Sequence, residues 1–271
     1  MIVSNRPSNR PCVKEQGVAA AVARDIVLAD GAAWAVPEEV PVALVYNRRN
    51  YAVMLATPDN LGDFAIGFSL AEGIIHNAGE IEAIEIVSQE SGTDLHITLN
   101  AERLERFDLI QRRRNLPGRA GCGLCGLENA ESLTAPLPPI ADRAIEISLV
   151  ALATAMAALP DWQPLNARTR SVHAAAWADA DGKLLTSRED VGRHNALDKL
   201  IGALARDERD ASKGFVVMSS RCSYELVEKA ARAGLPAIAT LSAPTAFAIR
   251  KAREARITLY ARSKGRFVRV T

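Results

Sequence analysis

The chain has almost no net charge, few cysteines and no long apolar run. Its 33 Lys and Arg against 32 Asp and Glu leave a formal net charge of +1. No general field exists to hold nucleic acid or an anionic membrane surface, so any anion site must be local. No stretch approaches the roughly 20 apolar residues of a membrane span. The opening Met1-Ile2-Val3-Ser4-Asn5-Arg6-Pro7 lacks an apolar run of signal-peptide length. A cytoplasmic protein is therefore expected. Only four cysteines occur in 271 residues. In a reducing compartment they are mostly free thiols, so a closely spaced pair points to redox, sulfur or metal chemistry rather than a structural staple.

What is present describes an ordinary globular protein of one or two domains, with 48% apolar and 24% charged residues. Val42 to Tyr46 and Tyr51 to Ala56 read as two strands around the turn Asn47-Arg48-Arg49-Asn50. From Asn60 to Ile75, Leu61, Phe64, Ala65, Phe68, Ala71 and Ile75 recur at helical spacing, with Asp59 or Asn60 available as N-cap. Strand-like alternation returns at Ile84 and Ile86 and over Leu95 to Leu99, before a charged helix around Glu102 to Arg113. The expected organisation is a poorly ordered leader over 1–35, a small α+β domain over 36–115, a flexible cysteine loop over 116–135 and an α/β domain over 136–271. In the last, Phe215 to Met218, Ser223 to Ala233, Pro236 to Thr240, Thr245 to Glu254 and Ile257 to Tyr260 alternate β-α-β-α-β, the pattern of a parallel sheet under helical cover. Ligands of such sheets sit beyond the carboxyl ends of the strands. The loops there, Ser219 to Ser223, Ser242 to Thr245 and Arg262 to Gly265, carry hydroxyls and cations suited to a phosphate or pyrophosphate, although serines and threonines also cap helices in proteins that bind nothing.

Two segments carry the chemistry. Cys122 and Cys125 form a CxxC among Gly118, Gly121, Gly123 and Gly126, a loop too permissive for a packed element. Structural zinc needs four ligands, whereas the histidines, at 76, 96, 173 and 194, are dispersed. A thioredoxin-type pair sits at a helix start directly after a strand, which this one does not. Sulfur relay asks for an exposed thiolate on a flexible mount and a second thiol to assist, and this loop suits it best. Arg112, Arg113, Arg114 and Arg119 are equally readable as the thiolate's activators or as a solvated face. The second segment, Arg188 to Lys199, is dense in charge and leads into a helix carrying Leu197, Leu200, Ile201 and Leu204. Arg193 and His194 are candidates to grip a polar ligand with Asp190 orienting them, against the plainer reading of a capped helix with local ion pairs.

These segments together resemble the FdhD family, the formate dehydrogenase accessory sulfurtransferases. The resemblance runs from about residue 38 onward through Thr57-Pro58, Gly67-Phe68 with Glu72-Gly73-Ile74-Ile75, the CxxC, Glu189 to Asn195 with Asp198-Lys199, Ser223-Tyr224-Glu225-Leu226 with Lys229, and Ser242 to Thr245. It implies a three-layer α/β/α sandwich similar to the cytidine deaminase fold, a homodimer, a cysteine desulfurase as sulfur donor and formate dehydrogenase as the target. It also implies a persulfide on Cys122 assisted by Cys125, sulfur delivery to a molybdenum bis(guanine dinucleotide) cofactor, and no metal site of the protein's own. Arg193, His194, Ser219, Arg221, Ser242 and the run Tyr260, Ala261, Arg262, Ser263, Lys264, Gly265 would hold the guanine nucleotide end. One departure stands out: the family's Thr-Gly-Gly before the central histidine is here Thr169-Arg170-Ser171, two residues ahead of His173. A deaminase reading fails on chemistry, since Ala174-Ala175-Ala176 follow His173 where a zinc deaminase needs a glutamate.

Overall fold

The computed structural model describes residues 10–113, 135–140 and 146–271. Two sheets divide the chain. The first is five-stranded in the order β1-β6-β7-β4-β5. It comprises β1 (Cys12–Gly17), β4 (Val40–Tyr46), β5 (Arg49–Ala56), β6 (Ile81–Gln89) and β7 (Gly92–Leu99). The β4–β5 turn is only Asn47-Arg48, both left-handed (φ 45 and 68), because that backbone matches the twist of the flanking strands. Val42, Leu44, Tyr46, Ile84, Ile86, Leu95 and Ile97 pack one face against Phe64 and Phe68 of α1 (Leu61–Ala71) and Phe107 of α2 (Ala101–Arg113).

The expected leader contains three strands. β1 runs parallel to β6, while β2 (Ala23–Val27) and β3 (Ala33–Pro37) form a separate hairpin. Nearly every side chain of these strands is exposed or half-buried. They are held through backbone pairing, which leaves no hydrophobic period to read.

The second sheet is six-stranded, β13-β12-β11-β10-β8-β9, built from β8 (His173–Asp179), β9 (Leu184–Asp190), β10 (Gly214–Met218), β11 (Ala237–Thr240), β12 (Thr258–Ser263) and β13 (Arg266–Arg269). β10, β11 and β12 are parallel, and β8 runs antiparallel between β9 and β10. Trp177, Val216, Met218, Ile238 and Leu259 face α5 (Arg193–Arg206), α6 (Tyr224–Arg232) and α7 (Ala246–Glu254). Ala174, Ala176, Phe215, Val217, Ala239 and Tyr260 face α3 (Leu149–Ala158). Strands buried on both faces read as continuous apolar runs, which is why this half was legible as α/β. The three layers are those of an α/β/α sandwich, and short α4 (Pro164–Thr169) leads into β8.

α1 joins the halves. It is buried nearly all round, as a helix between two cores must be, and it crosses α5 backbone to backbone. A Cβ on Gly67 would lie 1.7 Å from the Asp198 carbonyl oxygen, and one on Gly202 1.9 Å from that of Asp63. Ion pairs reinforce the contact: Asp63 binds Arg188 at 2.7 Å and Arg206 at 2.5 Å, and Lys229 of α6 binds Asp198 at 2.9 Å beside Glu72 at 3.7 Å.

Candidate functional site

The strand directions gather the charged loops at one end of the second sheet. His173, at the start of β8, is paired with Asp190, at the end of β9, and Met218 at the end of β10 with Ala175. The loops after β9, β10, β11 and β12 therefore emerge together. Those after β10 and β11 are tied by backbone bonds, Leu241 N to Met218 O at 3.2 Å and Thr245 N to Cys222 O at 3.0 Å.

The first sheet contributes Thr57 to this end, and every polar group of Thr57 is used. Its N–H donates to Asp190 Oδ2 at 3.0 Å, its hydroxyl accepts from Val191 N at 3.1 Å, and its carbonyl accepts from Lys199 Nζ at 2.8 Å. Asp190 also accepts from Gly192 N at 2.8 Å and Asn195 Nδ2 at 3.0 Å, and pairs with Lys199 at 2.7 Å. Asp190, read from sequence as orienting Arg193 and His194, instead anchors the Thr57 segment and the entry into α5. The reason is burial: a carboxylate with no exposure takes up the donors packed around it.

His194 lies in the first turn of α5 and meets the first turn of α6. Its Nε2 is 3.3 Å from Ser223 Oγ and 3.4 Å from Glu225 Oε2. The His194 hydrogen bond is the main reason the Glu225 carboxyl is held down at about 2, with the Ser223 hydroxyl also donating to it. Burial, then the Arg193 charge, pushes the half-buried His173 ring below the usual imidazole range. Arg193 has its Nε buried with no hydrogen-bond partner among the described residues. Cys222, 1% exposed in the core under α6 and α7, has its thiol pushed up to about 12 by burial, so it behaves as a small apolar residue rather than a nucleophile.

The other expected site residues divide. Ser219 Oγ accepts from Ala174 N at 2.8 Å and so splices β10 onto β8. Arg221 and Ser242 are exposed on neighbouring loops, with the Ser242 carbonyl held by Thr240 Oγ1 at 2.7 Å. Arg262, Ser263, Lys264 and Gly265 form the exposed β12–β13 hairpin, whose Lys264 and Gly265 are both left-handed (φ 49 and 81). Ala261 is buried in β12, and the Tyr260 ring lies in the layer against α3, its hydroxyl accepting from Ile147 N at 3.4 Å. Arg170 has a left-handed backbone (φ 57) and ends α4, whose first N–H groups are capped by Glu189 at 2.8 Å. Cys122 and Cys125 lie outside the described residues. Thr57, Ser223 and Glu225 carry no sequence signal beyond the motifs that contain them, since only the fold brings them beside Asp190 and His194.

The donors at this end fit an anionic ligand: an unpartnered buried guanidinium nitrogen on Arg193, the N-termini of α5 and α6, and exposed Arg221, Arg262 and Lys264. No group of three His, Cys, Asp or Glu side chains suited to a metal ion occurs among the described residues. A model of the FdhD/NarQ family matches residues 37–270, which takes in the second sheet, the first sheet apart from β1, and this whole cluster. The chain belongs to the FdhD/NarQ family. Among relatives of this FdhD/NarQ chain, sulfur carrier protein FdhD of Xanthomonas euvesicatoria pv. vesicatoria is 48% identical over 94% of this chain and 88% of its own. The protein of that name from Bordetella petrii is 47% identical over 83% of this chain and 80% of its own. The fold is shared with a solved chain from Desulfotalea psychrophila described as a formate dehydrogenase accessory protein, with TM-score 0.66 and 23% identity over 92% of this chain and 95% of that one. A cavity of about 980 Å³ lies elsewhere on this family member, lined by Leu70, His76, Ile201, Leu204, Arg209 and Arg232, and includes none of the residues above.

Proposed function

We propose that this protein is a sulfur carrier acting in formate dehydrogenase maturation, and that it takes persulfide sulfur from a cysteine desulfurase on Cys122 and passes it to a molybdenum bis(guanine dinucleotide) cofactor. The observation that carries the reading is the 48% identity, over 94% of the chain, to a protein named for sulfur carriage. The CxxC supplies the thiol, and Cys125 assists by shielding or resolving the persulfide. The cofactor is the cargo. Its guanine nucleotide arm is anionic, and Arg193, His194, Arg221, Ser242 and the Arg262–Gly265 hairpin supply cations and donors at one end of the sheet. In transfer the S–S bond breaks, Cys122 keeps the electron pair and leaves as a thiolate, and the departing sulfur is zero-valent, so the acceptor provides the pair for the new bond. A homodimer working in the cytoplasm accompanies this reading, and no helix among the described residues is long and apolar enough to cross a membrane.

The test is intact-protein mass spectrometry after incubation with a cysteine desulfurase and cysteine, on wild type, Cys122→Ala and Cys125→Ala. A reductant-labile gain of one sulfur, absent in Cys122→Ala, is expected. No gain in wild type would replace this reading with that of a chaperone that binds and delivers the cofactor without carrying sulfur.

A further inference from the structure

The His194–Ser223–Glu225 triangle has a consequence for how an anion is held. An ionised carboxylate beside an anion site is a liability, because its charge opposes the ligand's. Glu225 is ionised at neutral pH and sits at the start of α6, where the helix dipole favours it. It lies 3.4 Å from His194 Nε2. A carboxylate is an acceptor only, so Nε2 must be the nitrogen that carries hydrogen. Ser223 is compatible with this, because its oxygen lies 3.3 Å from the same Nε2 and can accept from it. Nδ1 has no partner among the described residues and is the nitrogen left for a ligand.

We propose that Glu225, with Ser223, is a positioning residue that fixes the His194 proton on Nε2 and so makes Nδ1 the ligand-facing atom, with phosphate binding taking up one proton there. This rests on the reading that His194 holds the nucleotide end of the cofactor. A phosphate oxygen is an acceptor and needs Nδ1–H, which exists only in the charged ring. The charged ring neutralises Glu225, so the pair stops repelling the ligand at the moment it gains a donor. Other charges act on the ring as well. Asp198, on the same helix, is bonded to Lys229 of α6 at 2.9 Å and interacts with His194. His173 of β8, flanked by Arg193 and Asp190, faces it from the sheet. Asp190 is paired with Lys199, and Glu72 lies beside Lys229, so Glu225 is the charged group in contact with the ring.

The experiment has two arms. Long-range 15N–1H spectra of the imidazole report the tautomer directly: the Nε2–H form is expected in wild type and a mixture of both forms in Glu225→Gln, which preserves shape but offers Nε2 a donor as readily as an acceptor. An unchanged tautomer in a folded Glu225→Gln protein overturns the positioning role. Calorimetric titration with guanosine diphosphate, in two buffers of different ionisation enthalpy, measures protons taken up. Proton uptake on binding is expected in wild type, with affinity falling as pH rises, and near zero uptake in His194→Gln. Binding without uptake overturns the proton linkage. If the nucleotide does not bind wild type at all, the nucleotide reading of this end is lost, and the tautomer spectra still decide what Glu225 does.

Discussion

Lys199 and Asp190 form an ion pair of 2.7 Å in which neither side chain has any exposure. The pair clamps Thr57, which the chain places more than a hundred residues away, between its own two charges. It therefore ties the segment after β5 to the entry into α5, beside the contact that α1 makes.

Removing one partner leaves a buried charge with nothing to offset it. Lys199→Met should cost about 3–5 kcal/mol in a urea titration, and the double change with Asp190→Asn should recover part of that. A loss under about 1 kcal/mol for the single change would mean that the pair does not hold the halves together.

The helix crossing offers a second test. Because a methyl at Gly67 would sit 1.7 Å from a backbone oxygen of α5, α1 cannot accommodate it without moving away. Gly67→Ala should destabilise by at least the 1–3 kcal/mol usual for overpacking, and Gly202→Ala likewise, read as a drop in thermal midpoint. An unchanged midpoint in either would show that the helices are not in backbone contact.

Glu225 predicts an acid limb. Its folded value of about 2 lies below the ordinary 4.5, so its contribution is complete above 4.5 and is lost as pH falls through 2. With the side chain 19% exposed, solvent screening reduces the effect to roughly 1 kcal/mol. Denaturant midpoints of wild type should fall more steeply between pH 4.5 and 2 than those of Glu225→Gln. Parallel profiles would contradict this.

The two described thiols should differ in reactivity. Exposed Cys12 should label rapidly with a disulfide reagent at pH 8, while Cys222, buried with its thiol pushed up to about 12, should label only after denaturation. Cys222→Ala should leave sulfur uptake unchanged, and rapid labelling of native Cys222 would contradict its assignment as a buried, unreactive thiol.

Periodicity and punctuation carried much of the architecture. A turn within Asn47 to Asn50, which the structure narrows to Asn47-Arg48, and the alternation from Phe215 to Tyr260 were readable, because turn chemistry and double-sided burial are local properties of the chain. α4 was not, being one and a half turns long and held by the distant Glu189. β1 to β3 were missed because strands held chiefly through their backbones impose little on side-chain type.

By itself the sequence determined the CxxC among its glycines, the absence of a general charge field, and a set of ordered motifs specific enough to point to one family. Only the tertiary structure decided what Asp190, Tyr260 and Cys222 do, and which group His194 faces. A sequence pattern says which residues avoid water and which prefer a helix start. It does not say which distant group completes a buried charge. Asp190 could be assigned to its near neighbours until Thr57 and Lys199 were seen around it, and Glu225 became part of the site only when the starts of α5 and α6 were found in contact.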